Sequence, residues 1–494
     1  MRTSGILLPI AALPSPYGIG TLGKAAYDFA DFLHDAGQHY WQILPIGPTS
    51  YGDSPYQSFS TCAGNPYFID LDFLIRDGLL TQAEVDAVDW SASERRVDYG
   101  FLFRVRFDLL YKAYLRGRDA DEAAVRDFRR DNPWVEDYAL YMALKRSNGM
   151  RSWDTWPEEI SLRRAGAVDT YSIVLAEDVG FFTYLQFLFF RQWEKLHAYI
   201  HSLGIELIGD LPIYVPYDSC DVWANPSLFQ LDRQGVPTAV AGCPPDAFAA
   251  DGQLWGNPLY DWVKMREDNY RWWMERIAAA AKLFDVTRLD HFRGLESYWS
   301  IPYGDTTARS GQWVAGPGYD FLNALKSRFP QLRLIAEDLG FLTPEVIQLQ
   351  QHSGYPGMKV LEFAFDSREP SNYLPHRYER NCICYSGTHD NETLLQWVEN
   401  APEATVAYAL EYCGLHERSE LCGQILRLGM ASVADTFIAQ MQDYLHLGAD
   451  SRMNLPGTVS TDNWSWRLPP DALTETLSAS IAKLTVLYER ALWQ

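Results

Sequence analysis

Short apolar, β-prone runs recur along this chain, most of them followed by stretches in which apolar residues return every three or four positions. The runs fall at Gly5–Ile10, Tyr40–Ile46, Ile205–Leu211, Val286–His291, Leu332–Ala336, Met358–Phe363, Ile383–Ser386 and Thr436–Gln442. Helical periodicity is plainest at Lys24–Ala36, where Ala25, Phe29, Phe32 and Leu33 share one face, and at Tyr184–Leu203. Strands alternating with helices call for a parallel sheet, and the eight runs match the count of a (β/α)8 TIM barrel.

The runs are unevenly spaced. About 160 residues separate the second from the third, where an ordinary connection takes roughly 4–6. Within that gap Thr81–Asn148 is rich in Ala, Arg, Asp, Glu and Leu at helical spacing, which predicts an inserted, largely helical subdomain over 65–180. Pro216–Tyr260 is rich in Pro, Gly and Trp and predicts a second insertion, a loop subdomain over 216–262 that covers the mouth of the barrel. Residues 1–494 then form a single catalytic barrel carrying both insertions, with no C-terminal β-sandwich expected.

Charge narrows the partners. With 42 basic and 64 acidic residues the net charge is −22, which argues against nucleic acid or an anionic membrane, since both demand basic patches. Seven scattered cysteines do not make a disulfide framework, and Cys382 and Cys384 alternate on one strand face. Reduced thiols point to a cytoplasmic setting. The apolar stretch Ile6–Leu13 is short and broken by Pro9, and reads as a strand rather than a signal peptide. Phe181–Phe190 comes nearest to a membrane span, but Thr183 and Gln186 interrupt it.

Three runs lead into carboxylates: Val286-Thr-Arg-Leu-Asp-His-Phe-Arg293, Leu334-Ile-Ala-Glu-Asp-Leu339 and Tyr385-Ser-Gly-Thr-His-Asp-Asn391. Asp290, Glu337 and Asp390 thereby fall at the C-terminal ends of strands, the end of such a barrel where chemistry is done. About 47 residues lie between Asp290 and Glu337, enough for one strand–helix–strand step of roughly 30 or more. Neighbouring strands run about 4.8 Å apart, so the two carboxylates can approach the roughly 5–5.5 Å separation of a retaining glycosidase pair. Each acid also has a plain structural reading. Arg288 and Asp290 share a strand face and would make a salt bridge, Glu337 and Asp338 are indistinguishable by periodicity, and Thr388-His-Asp-Asn391 would serve as a helix N-cap.

Two other signals fail. His291 and His389 both follow strands, but neither a His-Glu-x-x-His motif nor a Cys/His cluster supports a catalytic metal. Gly18-Ile-Gly-Thr-Leu-Gly23 matches a dinucleotide fingerprint, yet Ala11–Tyr17 separates it from its strand. Gln42-Ile-Leu-Pro45 stands where a ribose-binding acid is required. Among the aromatics, Tyr56 and Trp255 are flanked by turn formers, which suits flat faces offered to pyranose rings.

Taken with Ser15-Pro-Tyr-Gly-Ile-Gly20, Tyr51-Gly-Asp-Ser-Pro-Tyr-Gln-Ser58, Gly209-Asp-Leu-Pro-Ile213, Gln253-Leu-Trp-Gly-Asn-Pro258 and Arg288-Leu-Asp-His-Phe-Arg-Gly294, these segments give the chain a clear likeness. It resembles the 4-α-glucanotransferases called amylomaltase or disproportionating enzyme, relatives of the α-amylases, over nearly its whole length. The resemblance implies Asp290 as nucleophile, Glu337 as acid/base and Asp390 as transition-state stabiliser. It further implies sugar contacts from Tyr56, Asp210, Arg288, His389 and Asn463, with Asp246 and Trp255 on a loop over the acceptor side and Tyr51 in a second, remote groove. The implied substrates are maltooligosaccharides and α-1,4-glucans, and no cofactor or metal is implied. The nearest alternative is an α-1,4-glucan hydrolase of the α-amylase type, since the same carboxylates serve both reactions. A non-catalytic carbohydrate-binding protein is disfavoured by the intact set of acids.

Overall fold

A computed structural model describes residues 2–50, 52–90, 95–245, 250–340, 342–366 and 371–493. In chain order its strands are β1 (Thr3–Leu7), β2 (Tyr40–Gln42), β3 (Glu206–Leu211), β4 (Ala239–Cys243), β5 (Gln253–Pro258), β6 (Val286–Leu289), β7 (Ser297–Pro302), β8 (Gln312–Ala315), β9 (Leu334–Ala336), β10 (Gly357–Val360), β11 (Cys382–Tyr385) and β12 (Thr436–Gln440). Eight of them pair in parallel in the order β10-β11-β12-β1-β2-β3-β6-β9, one from each predicted run. The seam between β9 and β10 is bridged twice. Ala336 N–H donates to the Pro356 carbonyl at 2.9 Å, and Met358 N–H donates to the Asp338 carboxylate at 2.7 Å. A Cβ on Gly357 would stand 2.4 Å from Asp338 Oδ2, so glycine is what admits that side chain. The fold is a (β/α)8 barrel, as the run count predicts.

The pleat sets two faces on every strand. Leu7, Ile208, Val286, Ile335, Met358, Val360, Ile383, Tyr385 and Ile438 pack together inside the barrel. Their neighbours, among them Leu207, Leu289, Cys382, Cys384 and Phe437, face outward into the larger core shared with the helices. All seven cysteines are free thiols. Going two residues on along the inner face turns Ile208 into Asp210, Val286 into Arg288 and then Asp290, and Ile335 into Glu337. The interior therefore passes from aliphatic to charged toward the C-terminal mouth.

Between β2 and β3 stand helices that include Tyr99–Gly117, Glu122–Asp131, Trp134–Ser147 and Ala176–Ser202. The stretch read from sequence as loops differs: β4 and β5 lie within it and pair antiparallel, in a small sheet ordered β5-β4-β7-β8. The pairing of β4 with β7 joins Ala239 to Pro302 and Gly242 to Trp299. Those partners come from beyond the stretch itself, and local turn-rich composition carries no trace of them. Among the described residues no single helix is long and apolar enough to cross a membrane. The helices Ala167–Val174 and Ala176–Ser202 pass such a test only as a pair bent by 84°, and much of the longer one is buried in the core.

Candidate active site

Register places the two central acids side by side. Arg288 pairs with Ile335 and Leu289 with Ala336 across β6 and β9, so Asp290 and Glu337 are the next pair on the inner face. Backbone bonds continue past the strand ends to hold them: Glu337 N–H donates to the Leu289 carbonyl at 3.1 Å, Phe292 N–H to the Glu337 carbonyl at 3.0 Å, and Asp290 N–H to the Leu211 carbonyl at 3.0 Å. His291 takes a left-handed backbone with φ of 52°, a conformation uncommon for a residue with a side chain. It turns the chain so that His291 N–H donates to Glu337 Oε2 at 2.7 Å, while Leu339 N–H donates to Oε1 at 2.8 Å.

Beneath Asp290 lies a buried charge cluster. Arg288 Nη1 donates to both Asp210 oxygens, at 2.9 and 2.7 Å, and stands 2.9 Å from Asp290 Oδ1. The Tyr56 hydroxyl donates to Asp210 Oδ2 at 2.7 Å. Burial works against the Arg288 charge, but Asp210 and Asp290 outweigh it and hold the guanidinium firmly protonated. Burial raises the Asp210 carboxyl, with Arg288 opposing. Glu337 is pushed up to about 7, first by burial and then by the negative charge of Asp290, against the pull of Arg288 and of its two backbone N–H bonds. Its partner acid stays open to the cleft, with 29% of the Asp290 side chain exposed. One carboxyl thus holds a proton near neutrality beside another paired with an arginine. His291 is lowered to about 4 by burial and is a neutral ring at neutral pH.

Periodicity cannot separate Glu337 from Asp338, but the structure does. Asp338 turns away to the Met358 N–H at the seam, and Glu337 alone faces the cleft side with Asp290. Asp390 approaches from beyond β11, its side chain 46% exposed. Asn454 Nδ2 donates to its Oδ1 at 2.6 Å, and Arg452 Nη2 to its carbonyl at 2.8 Å. His389, nearly fully buried, stacks on Tyr56 with ring centroids 5.1 Å apart at 18°, and Trp464 packs against both. Trp255 stands edge-on to His291 at 4.9 Å. Its indole N–H donates to Gln253 Oε1 at 3.0 Å, and it sits on strand β5 rather than on the loop the sequence predicts.

The structure thus gathers Tyr56, Asp210, Trp255, Arg288, Asp290, Glu337, His389 and Asp390 at one mouth. Asp210 is wholly covered, its carboxylate taken up by Arg288 and Tyr56. Asn463 is spent on its own loop, accepting from Leu455 N–H at 3.0 Å and donating to the Thr458 carbonyl at 3.1 Å. Asp246 and Tyr51 lie outside the described residues. Asn454, Arg452 and Trp464 were not read from the sequence. They arrive on a late segment after β12, and only its folding back onto Asp390 reveals them. A cavity of about 540 Å³ opens at the opposite end, lined by Tyr40, Ile208, Val286 and Ile335 among others, and none of the mouth's acids borders it.

A barrel whose adjacent strands end in one proton-holding and one arginine-paired carboxyl, with a third acid facing them, has the equipment of a retaining enzyme of glycosidic bonds. Comparison with known proteins gives the particular kind. The chain belongs to the 4-alpha-glucanotransferase family, whose model matches residues 8–474. It is 47% identical to the 4-alpha-glucanotransferase of Streptococcus pneumoniae, over 99% of this chain and 97% of that one. It is 45% identical to that of Clostridium butyricum, over 97% and 99%. The solved amylomaltase of Streptococcus agalactiae in complex with acarbose superposes with a TM-score of 0.96, at 40% identity, covering 99% of this chain and 100% of that one.

Proposed function

We propose that this 4-α-glucanotransferase moves a segment of an α-1,4-glucan to the 4-hydroxyl of glucose or of another glucan by a double displacement that retains anomeric configuration. The observation that carries the reading is the register pairing of Asp290 with Glu337 at the C-terminal mouth. Glu337, raised to about 7, gives its proton to the glycosidic oxygen as the bond to the anomeric carbon breaks. Asp290 attacks that carbon and holds the donor fragment as a glycosyl-enzyme. The departed sugar leaves, an acceptor 4-hydroxyl takes its place, and Glu337 removes the acceptor's proton as the new bond forms. Atoms balance: one glycosidic bond is broken and one is made, and the proton returns to Glu337.

The remaining residues hold this geometry. Arg288 aims Asp290 through their 2.9 Å contact, and Asp210 with Tyr56 fixes Arg288 in turn. Asp390, steadied by Asn454, faces the sugar hydroxyls and strengthens its bonds as positive charge develops on the ring. Trp255 offers an edge on the acceptor side, and the insertion over 216–262, with its strands β4 and β5, roofs the cleft there and keeps water from the intermediate. The insertion over 65–180 supports the barrel wall. Maltooligosaccharides are the substrates, and a cytoplasmic setting agrees with free thiols throughout.

Maltotriose supplied alone tests the reaction. Transfer yields glucose and longer oligosaccharides at constant total reducing ends. Reducing ends that rise in step with consumption would make the enzyme a hydrolase instead.

A further inference from the structure

The helix Ala176–Ser202 carries His197 and His201, four residues apart and therefore side by side on one face. Asp285, just before β6, comes to the same point from the barrel. Its Oδ1 and Oδ2 lie 2.9 and 3.0 Å from His201 Nε2, and its Oδ2 lies 3.3 Å from His197 Nε2. The two imidazole centroids are 4.2 Å apart. Their surroundings fix the group: Leu207 N–H donates to Asp285 Oδ2 at 2.8 Å, and Trp193 stacks on the His197 ring at 6.1 Å. The nearby Arg333 is committed elsewhere, bonded through both terminal nitrogens to Glu206 at 2.9 and 2.7 Å.

Two imidazole nitrogens and one carboxylate converging on a point present the mixed donor set of a cation site. A divalent ion fits among the three, taking a lone pair from each Nε2 and the negative charge of Asp285. The donor separations of 2.9 to 3.3 Å approach the roughly 3.3 Å edge of a tetrahedron with bonds of about 2.0–2.1 Å. Side-chain exposures of 18%, 45% and 17% for His197, His201 and Asp285 leave an open approach and room for water as a fourth ligand. Two nitrogens with one carboxylate suit zinc, cobalt or nickel better than magnesium or calcium.

We propose that His197, His201 and Asp285 form a binding site for a divalent transition-metal ion, with Zn2+ the best match, that ties the helix Ala176–Ser202 to the entry of β6. Asp285 precedes Asp290 by five residues, about 16 Å along an extended strand. The ion therefore takes no part in sugar chemistry and acts on the cohesion of the fold. The helical spacing is visible in His197-Ala-Tyr-Ile-His201, but the third ligand is nearly ninety residues further along and only the fold supplies it.

The test uses the full chain, stripped with a chelator and titrated with Zn2+ against a chromophoric competitor. One equivalent of Zn2+ should bind and raise the melting temperature, with transferase turnover the same with and without the ion. His201→Gln and Asp285→Asn should each weaken binding at least tenfold, as expected when a ligand or its supporting group is lost, and remove the rise in melting temperature. The half-exposed His201 tolerates Gln, and a metal-free melting curve checks that the variant is folded. An independent arm loads wild-type protein with Co2+, whose visible bands should lack thiolate charge transfer because no cysteine belongs to the cluster. Equal Zn2+ affinity in wild type and His201→Gln, absence of a stoichiometric first equivalent, or a thiolate–cobalt band would each overturn the proposal.

Discussion

Following β6 from Val286 to Asp290 crosses from an aliphatic interior to an open charged cleft within five residues. At the N-terminal side Val286 packs with Ile208, Ile335, Met358 and Ile383 in an aliphatic interior that borders the cavity of about 540 Å³. At the C-terminal side the same strands deliver Asp210, Arg288, Asp290 and Glu337. The second arrangement carries costs that the first avoids. Arg288 Nε is buried without a partner, the Glu337 carboxyl is forced up by burial, and His291 holds a left-handed backbone. Strain and desolvated charge persist where the surroundings over-determine them, commonly at sites of chemistry. One half of each strand serves cohesion and the other half spends part of it on reactivity.

Substitutions should therefore separate the charged mouth from the aliphatic interior cleanly. Asp290→Asn removes the nucleophile and should lower turnover on maltotriose roughly 10³-fold or more, with the melting temperature close to wild type. Retention of a tenth of the activity would end its assignment. Glu337→Gln should cost roughly 10²–10⁴-fold on the same substrate, the usual range for a general acid, and far less on a glucosyl fluoride that departs unprotonated. Within the aliphatic interior Ile438→Ala, fully buried in the wild type, should destabilise by about 2–5 kcal/mol in denaturant melts. Its turnover below the melting range should stay unchanged, and a parallel loss of turnover would dissolve the distinction.

Smaller effects sharpen the picture. Glu337 must enter the first step protonated, and its pKa is raised to about 7. The rate at low maltotriose should accordingly hold up below that pH and fall about tenfold per unit above it, while the fluoride substrate shows no such limb. Trp255→Ala should raise the ratio of hydrolysis to transfer severalfold, since an aromatic contact is worth about 0.5–1.5 kcal/mol and each 1.4 kcal/mol is about tenfold in partitioning. An unchanged ratio with a lower melting temperature would make Trp255 an anchor of β5 alone.

The barrel was legible because each strand announces itself locally. The predicted runs overshoot mostly at their C-terminal ends: Tyr40–Ile46 shortens to Tyr40–Gln42, and Gly5–Ile10 loses Ile10 to a short 3-10 turn. Apolar residues continue there because the chain stays buried after pairing stops, and burial alone does not distinguish strand from buried loop. The antiparallel sheet was illegible because β4 finds its partner β7 across β5, two α-helices and β6. In the site, Asp290 and the neighbouring pair Glu337 and Asp338 could be placed at strand ends, and the family resemblance alone chose Glu337. The stacking of Tyr56 on His389 and the bond from Asn454 to Asp390 join segments more than sixty residues apart, and no local pattern encodes them. The role of Asp338 became clear only at the barrel's seam.

The division of labour between Asp290 and Glu337 is tested most directly by trapping. Glu337→Gln, mixed with α-glucosyl fluoride and no acceptor, lacks the base needed to discharge the intermediate. Intact-mass measurement followed by peptide mapping should find one added glucosyl unit on the peptide holding Asp290, released when azide is supplied as an acceptor that needs no base. Equal impairment on fluoride and on maltotriose with no adduct, or an adduct on a different residue, would contradict the account.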